Sequence, residues 1–226
     1  ATAIGGVVGK NENSGKVYLA NSLGVTNGEG VDKVGGIAGD NSGTMYSLYN
    51  ESVVTGKDNV GGVAGTNGGS ITNAVNTTGI TATGDYAGGL AGVNSGTIDS
   101  GRNTGTINGK DNVGGMVGKN EEKADGTGGI LKNLSNAVTA AIFGSANVGG
   151  IAGTNSGTIT SDNNLVNEGT VYGNQYVGGI AGVNEQGGVI QNVTSETLVL
   201  KTADGTNAQY FGGIAGQNNG TITNAT

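Results

Sequence analysis

One short pattern of apolar, glycine and polar positions recurs eight times along the chain. Each copy reads apolar-Gly-Gly-apolar, then Ala or Val, then Gly, any residue and Asn, as in residues 148–155. A recurrence of about 20 to 50 residues is typical of solenoids, propellers and arrays, so the pattern predicts a repeat architecture. The first glycines of the copies, 26 to 35 residues apart, are Gly5, Gly35, Gly61, Gly88, Gly114, Gly149, Gly178 and Gly212.

The residues between the copies predict three short β-strands in each repeat. Apolar runs of about four to six residues are separated by Gly, Asn, Asp and Ser, and no helical periodicity occurs. In the second repeat we expect strands at residues 34–39, 45–49 and 52–55. In the third and fourth repeats, the predicted second strands start at Ile71 and Ile98, and the third strands at Ile80 and Thr106.

A repeat of this size cannot bury its apolar face alone, so we expect the repeats to stack. The predicted fold is all-β: a parallel β-helix, or β-solenoid, of about eight coils of 26 to 35 residues. The crossover rule favours a right-handed coil. Seven steps of about 4.8 Å would give a rod about 34 Å long with a roughly triangular section. We expect residues 1–226 to form one solenoid domain, cut from a longer chain.

Two polar inserts lengthen the repeats at turns, in residues 121–127 and 203–207. Solenoids tolerate such extra chain on one rim.

Asparagine recurs six residues after each first glycine, where the first strand must end. Asn suits turns and can bond its neighbour in a stacked ladder, so a structural role is favoured over ligand binding. A second and looser series falls at the next corner. The first column is Asn11, Asn41, Asn67, Asn94, Asn120, Asn155, Asn184 and Asn218; the second is Asn21, Asn50, Asn76, Asn103, Asn136 and Asn167.

The glycine pair decides which residues face the core. Strict alternation would put Val148 inside and Ile151 outside, whereas a bulge or bend at Gly149 and Gly150 would turn both inward. We favour the bulge because it leaves no apolar column in solvent.

Composition excludes several classes of function. Glycine makes up 49 of 226 residues, and Pro, Cys, His and Trp are absent. The net charge is −7, with ten scattered Lys and Arg, which argues against nucleic acid and anionic membranes. No apolar run approaches the ~20 residues of a membrane helix. Without His or Cys, the common acid–base, nucleophilic and metal-binding groups are missing, so we expect neither enzyme activity nor a cofactor. The carboxylate pair Glu121 and Glu122 falls in a polar insert.

An acidic column precedes four successive motif copies, at Asp32, Asp58, Asp85 and Asp111. Stacked about 4.8 Å apart, neighbours would repel by about 1 kcal/mol in water, and Lys33, Lys57 and Lys110 beside them can offset this. The column is either a weak calcium site or a row of solvated turn residues, and the second interpretation is favoured.

The motif resembles the bacterial GLUG repeat. Gly89-Leu90-Ala91-Gly92 and its siblings carry this resemblance, together with the Asn-x-Gly-Thr-Ile that begins at Asn155 and at Asn218. Val7 and Met116 stand where that repeat has leucine. It occurs in large surface proteins, including filamentous-haemagglutinin-like adhesins and accessory regions of IgA-cleaving proteases. The resemblance implies export and a stalk or adhesive role, but no catalytic residue.

We therefore expect a non-enzymatic structural or adhesive segment of a bacterial cell-surface or extracellular fibre. Its partners would be adjoining coils of its own chain, another copy stacked end to end, or a surface glycan or protein. Two alternatives stay open. One is an ice- or surface-binding face, suggested by the pairs Thr158/Thr160 and Thr221/Thr223. The other is an accessory region of a secreted glycan- or protein-degrading enzyme.

Overall fold

Parallel strands stacked coil on coil form the whole described structure. The computed structural model describes residues 2–162, 165–202 and 209–226. Within these ranges the chain forms strands and turns and no helix, and equivalent strands of successive repeats pair in parallel. The predicted β-solenoid of about eight turns is confirmed. Because no helix occurs there, none has the length and hydropathy needed to cross a membrane.

The described strands belong to three sheets, which we name in chain order. The first sheet contains Ile4–Gly5, Val34–Gly35, Val60–Gly61, Ala87–Gly88, Asp111–Gly114, Ala146–Gly149, Gln175–Gly178 and Gln209–Gly212. The second sheet contains Val8–Asn11, Ala38–Asn41, Ala64–Asn67, Ala91–Asn94, Val117–Asn120, Ala152–Asn155, Ala181–Asn184 and Ala215–Asn218. The third sheet contains Lys16–Asn27, Thr44–Gly56, Ser70–Asn76, Ile80–Ala82, Thr97–Asn103, Ile107–Asn108, Ile130–Asn136, Ala141–Phe143, Thr158–Thr160, Leu165–Asn167, Thr170–Gly173, Val189–Ser195, Val199–Lys201 and Thr221–Ala225.

The glycine pair is a corner between two sheets. The single strand expected at residues 34–39 is wrong, because Val34–Gly35 lies in the first sheet and Ala38–Asn41 in the second. The bend turns both apolar residues of the motif inward, and Val148 and Ile151 are fully buried. Strict alternation is therefore excluded, and the two residues face inward as expected, but the favoured bulge is wrong: the chain turns a full corner between two sheets at the glycine pair.

The second and third predicted strands share one sheet. In the first two coils they are continuous, as Lys16–Asn27 and Thr44–Gly56. Later coils break the run, for example into Ser70–Asn76 and Ile80–Ala82, and these starts agree with the prediction to within one residue. The insert at residues 121–127 is a turn outside the strands, as expected. The insert at residues 203–207 lies outside the described residues.

The apolar interior is divided into two compartments. One contains the apolar residue that follows the glycine pair and the apolar residues of the first half of the third sheet, for example Ile37, Met45 and Leu48. The other lies between the first sheet and the far half of the third sheet, for example Val34 and Val54. Val34 and Ile37 lie on opposite sides of the glycine pair, so the boundary between the compartments runs through that pair.

Candidate functional site

The first asparagine column is an unbroken hydrogen-bonded ladder. In each pair of neighbouring coils, the Nδ2 of one Asn donates to the Oδ1 of the next, at 2.7 to 2.9 Å. All eight asparagines named from the sequence take part. Asn94 and Asn155 also donate to the backbone carbonyls of Gly96 and Gly157. Both N–H groups of such an amide are therefore used, so the buried column leaves no donor unpaired.

The second column forms a shorter ladder along the boundary between the two compartments. Asn50, Asn76, Asn103, Asn136 and Asn167 are joined by four Nδ2–Oδ1 hydrogen bonds of 2.7 to 2.9 Å. At its last described step Asn167 pairs in register with Ser195 and donates to the Gly179 carbonyl at 2.7 Å.

Asn21 was wrongly assigned to this second column. It pairs in register with Tyr49 and is exposed, whereas its neighbour Ser22 pairs with Asn50 and is buried. The Ser22 and Ser52 hydroxyls are 2.7 Å apart. A shift of one residue in a strand moves a side chain to the opposite face, which explains why Asn21 points outward.

The motif glycines make room for these ladders. A methyl group placed on Gly89 would lie 2.6 Å from Cγ of Asn103 and closer still to the Gly115 carbonyl. On Gly88 it would lie 2.6 Å from Cα of Val117 in the next coil. The glycines therefore allow the backbones at the corner to approach each other and the amide of the second ladder to reach across the coil.

The left-handed backbone positions lie outside the ladders. Among the described residues, no ladder asparagine has positive φ. Two other columns have positive φ. One contains Leu19, Ser47, Asn73, Ser100, Asn133, Asn192 and Asn224; the other contains Asn59, Tyr86, Asn112, Asn147, Tyr176 and Tyr210.

Two members of the acidic column, Asp58 and Asp111, bond to the backbone of the next coil. Asp58 Oδ1 accepts the Asp85 N–H at 2.8 Å, and Asp111 Oδ1 accepts the Ala146 N–H of the next coil at 3.2 Å. Lys57 bridges Asp32 and Asp58 at 3.3 and 3.2 Å. Burial works to raise the pKa of Asp58, but the Asp85 N–H and the Lys57 ammonium outweigh it, so the pKa lies below its ordinary value.

The acidic column does not gather into a chelating group. Across the described ranges, no three Asp or Glu side chains come close enough together to hold a metal ion. Lys33 pairs with Asp40 at 3.2 Å rather than with Asp32. What the geometry does provide at Asp58 and Asp111 is an acceptor for the following coil.

The threonine pairs do not form a continuous flat array. Thr158 and Thr160 lie on the outer face of the third sheet, but their neighbours Ile130 and Lys132 interrupt both columns. Thr221 and Thr223 are preceded by Val189 and Gln191. An ice-binding face would need an unbroken two-column array, which the register does not provide.

In the part of the chain that the structure describes, aromatic side chains pair at three places on the outside of the rod. Phe143 stacks on Tyr172 with ring centroids 4.7 Å apart, and Tyr176 stacks on Tyr210 at 5.1 Å. Tyr18 and Tyr46 meet edge to face at 6.3 Å. Sequence reasoning missed these pairs because their spacings differ from coil to coil.

Comparison with known proteins supports the repeat type. A family model described as the GLUG motif matches residues 173–197, which include the first glycine Gly178 and the ladder residue Asn184. No curated protein and no solved structure matches the chain. The matched segment thus carries a GLUG-type repeat, and the same pattern recurs in the other seven coils.

Proposed function

We propose that this chain is a non-enzymatic structural and adhesive segment of a bacterial cell-surface or extracellular fibre. The observation that supports it best is the first asparagine ladder, which bonds all eight coils from Asn11 to Asn218 into one rod. The recurring residues thereby build and stiffen the scaffold, while the outward residues differ from coil to coil. This division suits a spacer whose lateral faces make contacts.

The resemblance to the GLUG repeat supports the fibre context. GLUG-type repeats resemble segments of large exported proteins such as filamentous-haemagglutinin-like adhesins. In such a chain, the first and last coils would stack on adjoining coils or on another copy. A surface glycan or protein would contact the lateral faces.

Surface location can be tested with single cysteines, because the chain contains none of its own. Val138 is exposed and Ala152 fully buried, so Val138→Cys and Ala152→Cys form a matched pair. On intact cells of the source organism, a membrane-impermeant maleimide should label Val138→Cys at once. Ala152→Cys should react only after denaturation. Labelling of Val138→Cys that requires cell lysis would contradict the proposal.

The alternative functions give different results in the same preparation. Thermal hysteresis would indicate an ice-binding face, and turnover on a panel of polysaccharides and peptides would indicate an enzyme. The proposal predicts neither.

A further inference from the structure

The outer face of the third sheet is apolar in the first two coils. We call this set the tyrosine face; its members are 40 to 82% exposed: Tyr18, Leu19, Leu23, Val25, Tyr46, Tyr49 and Val53. Tyr18 pairs in register with Tyr46, and Val25 with Val53, so these side chains share one surface. In the later coils the positions in register with Tyr18 and Tyr46 are polar. They are Thr72, Asp99 and Lys132, so the apolar patch is limited to two coils.

The tyrosine face lies on the side of the rod and not on its end. Tyr46, Tyr49 and Val53 belong to the second coil, which is paired with Lys16–Asn27 on one side and with Ser70–Asn76 and Ile80–Ala82 on the other. Further chain stacked on the first coil would extend the rod without covering these three side chains. An apolar surface of this kind marks an interaction site.

Leu19 gives independent support. It has φ 53° in a column whose other members are Asn and Ser, residues that tolerate the left-handed conformation. Leucine is poorly suited to this backbone, and at 82% exposure its side chain gains little from packing within the chain. An unfavourable backbone that presents an exposed apolar side chain indicates a contact made outside the chain.

The surface around Leu19 is indented. Tyr18, Leu19, Thr44 and Tyr46 line an open recess of about 440 Å³. On its other side, Leu19 borders a second recess of about 370 Å³ that reaches Tyr49. Leu19 is therefore a ridge between two hollows, a shape that can interlock with a similar surface.

We propose that the tyrosine face is a lateral contact with a second copy of this chain, the two faces packing sheet against sheet. An aromatic side chain offers roughly 150–250 Å², so at their exposed fractions the seven residues, four of them smaller aliphatic ones, would bury at most roughly 600–1,000 Å² per copy. A standard interface buries about 800 Å² per partner, so the patch is large enough for a dimer. A two-fold contact sets the same surface against itself, so apolar area meets apolar area.

Charge weakens this self-contact at low salt but does not prevent it. Lys16 and Glu51 are the charged residues on the two strands that form the face, so little charge has to be desolvated. The net charge of −7 on each copy opposes association at low salt. Screening by added salt should therefore strengthen this contact.

Sedimentation velocity and small-angle scattering of the full 226-residue chain, from about 1 to 300 μM, test the proposal. The mass should double with concentration, and more readily at high salt, and scattering should show a wider cross-section where the two copies overlap at their first two coils. Leu19→Asn introduces the residue type that Asn73 has in the same column, and Tyr46→Thr introduces the residue type that Thr72 has in register with Tyr46. Each should weaken dimerisation at least tenfold, and Leu19→Asn should leave the melting temperature unchanged or higher.

Phe143→Thr is the matched control, since Phe143 is an exposed aromatic residue on the same sheet, outside the face. It should dimerise like the wild type. A monomer throughout the series would overturn the proposal, and so would growth in length at constant cross-section that Leu19→Asn and Tyr46→Thr leave unchanged. Protection of the face in a monomer by a glycan or a foreign protein would also overturn it.

Discussion

Asn94 and Asn120 are 26 residues apart in sequence, yet Nδ2 of Asn94 donates to Oδ1 of Asn120 at 2.9 Å. Nδ2 of Asn94 also donates to the Gly96 carbonyl, and its Oδ1 accepts from Asn67. One buried side chain therefore joins three successive coils and closes its own turn. Repeated in every coil, this relationship makes the solenoid cooperative along its axis.

Removing one member of the ladder should destabilise the fold. Asn94→Ala leaves the Asn67 donor and the Asn120 acceptor buried without their partner, at a cost of about 1–3 kcal/mol. Glu122→Ala changes an exposed loop residue and should have little effect. Urea unfolding measures the difference in the free energy of unfolding. Equal values for the two variants would show that the ladder adds nothing to stability.

The glycine at the corner can be tested with an internal control. Gly89→Ala would force a methyl group against Asn103 and the Gly115 carbonyl, whereas at the equivalent Gly213 no atom of the described residues lies within 4 Å of that position. Overpacking of this kind typically costs about 1–3 kcal/mol. Gly213→Ala should be neutral or slightly stabilising. Thermal unfolding of both variants checks this, and a similar loss in the two would contradict the account.

The thin core should not accept a charge. Ile151 is fully buried at the corner, and Ile151→Asp would place an unpaired carboxylate among apolar side chains. We expect this variant not to fold, whereas Val138→Asp, at an exposed site, should fold like the wild type. Circular dichroism and size-exclusion chromatography distinguish the two outcomes. A folded Ile151→Asp would mean that the corner does not turn this residue inward.

The repeat determined much of this structure, but the corners did not follow from it. The Asn ladder was predictable because each Asn lies six residues after its first glycine. Asn21 was misplaced because the position of the second ladder has to be counted from Gly15, the glycine before the first strand of the third sheet. Counted from there, Ser22 and not Asn21 is in register with Asn50. The column of positive φ that contains Leu19 carries Leu, Ser and Asn, so residue type did not predict its left-handed backbone. The clue to this column was a pair of successive outward-facing residues, such as Thr72 and Asn73, because side chains of a regular strand alternate between its two faces.

Stability should fall in acid partly because of Asp40. Burial works to raise the pKa of Asp40, but hydrogen bonds from Thr66 and Lys33 outweigh it, so the pKa lies below its ordinary value of 3.8. A carboxyl whose folded pKa is depressed stabilises the fold above its unfolded pKa, and this stabilisation is lost as pH falls through the folded pKa. Asp40→Asn should therefore lose less stability than the wild type between about pH 5 and 2.5. Melting temperatures across this range, with Glu122→Gln as the control, provide the test; parallel curves for wild type and Asp40→Asn would contradict it.

Exchange of the asparagine side-chain NH₂ hydrogens, followed by NMR in D₂O, tests most directly whether the coils stack in register. The amides of Asn41, Asn67, Asn94, Asn120 and Asn155 are buried and bonded to the next coil, so they should stay protected far longer than that of the exposed Asn13. Protection should be greatest in the middle of the rod, because local opening from either end reaches those coils last. Exchange of the ladder amides as fast as that of Asn13, in a chain that is otherwise folded, would show that the coils are not joined through these side chains.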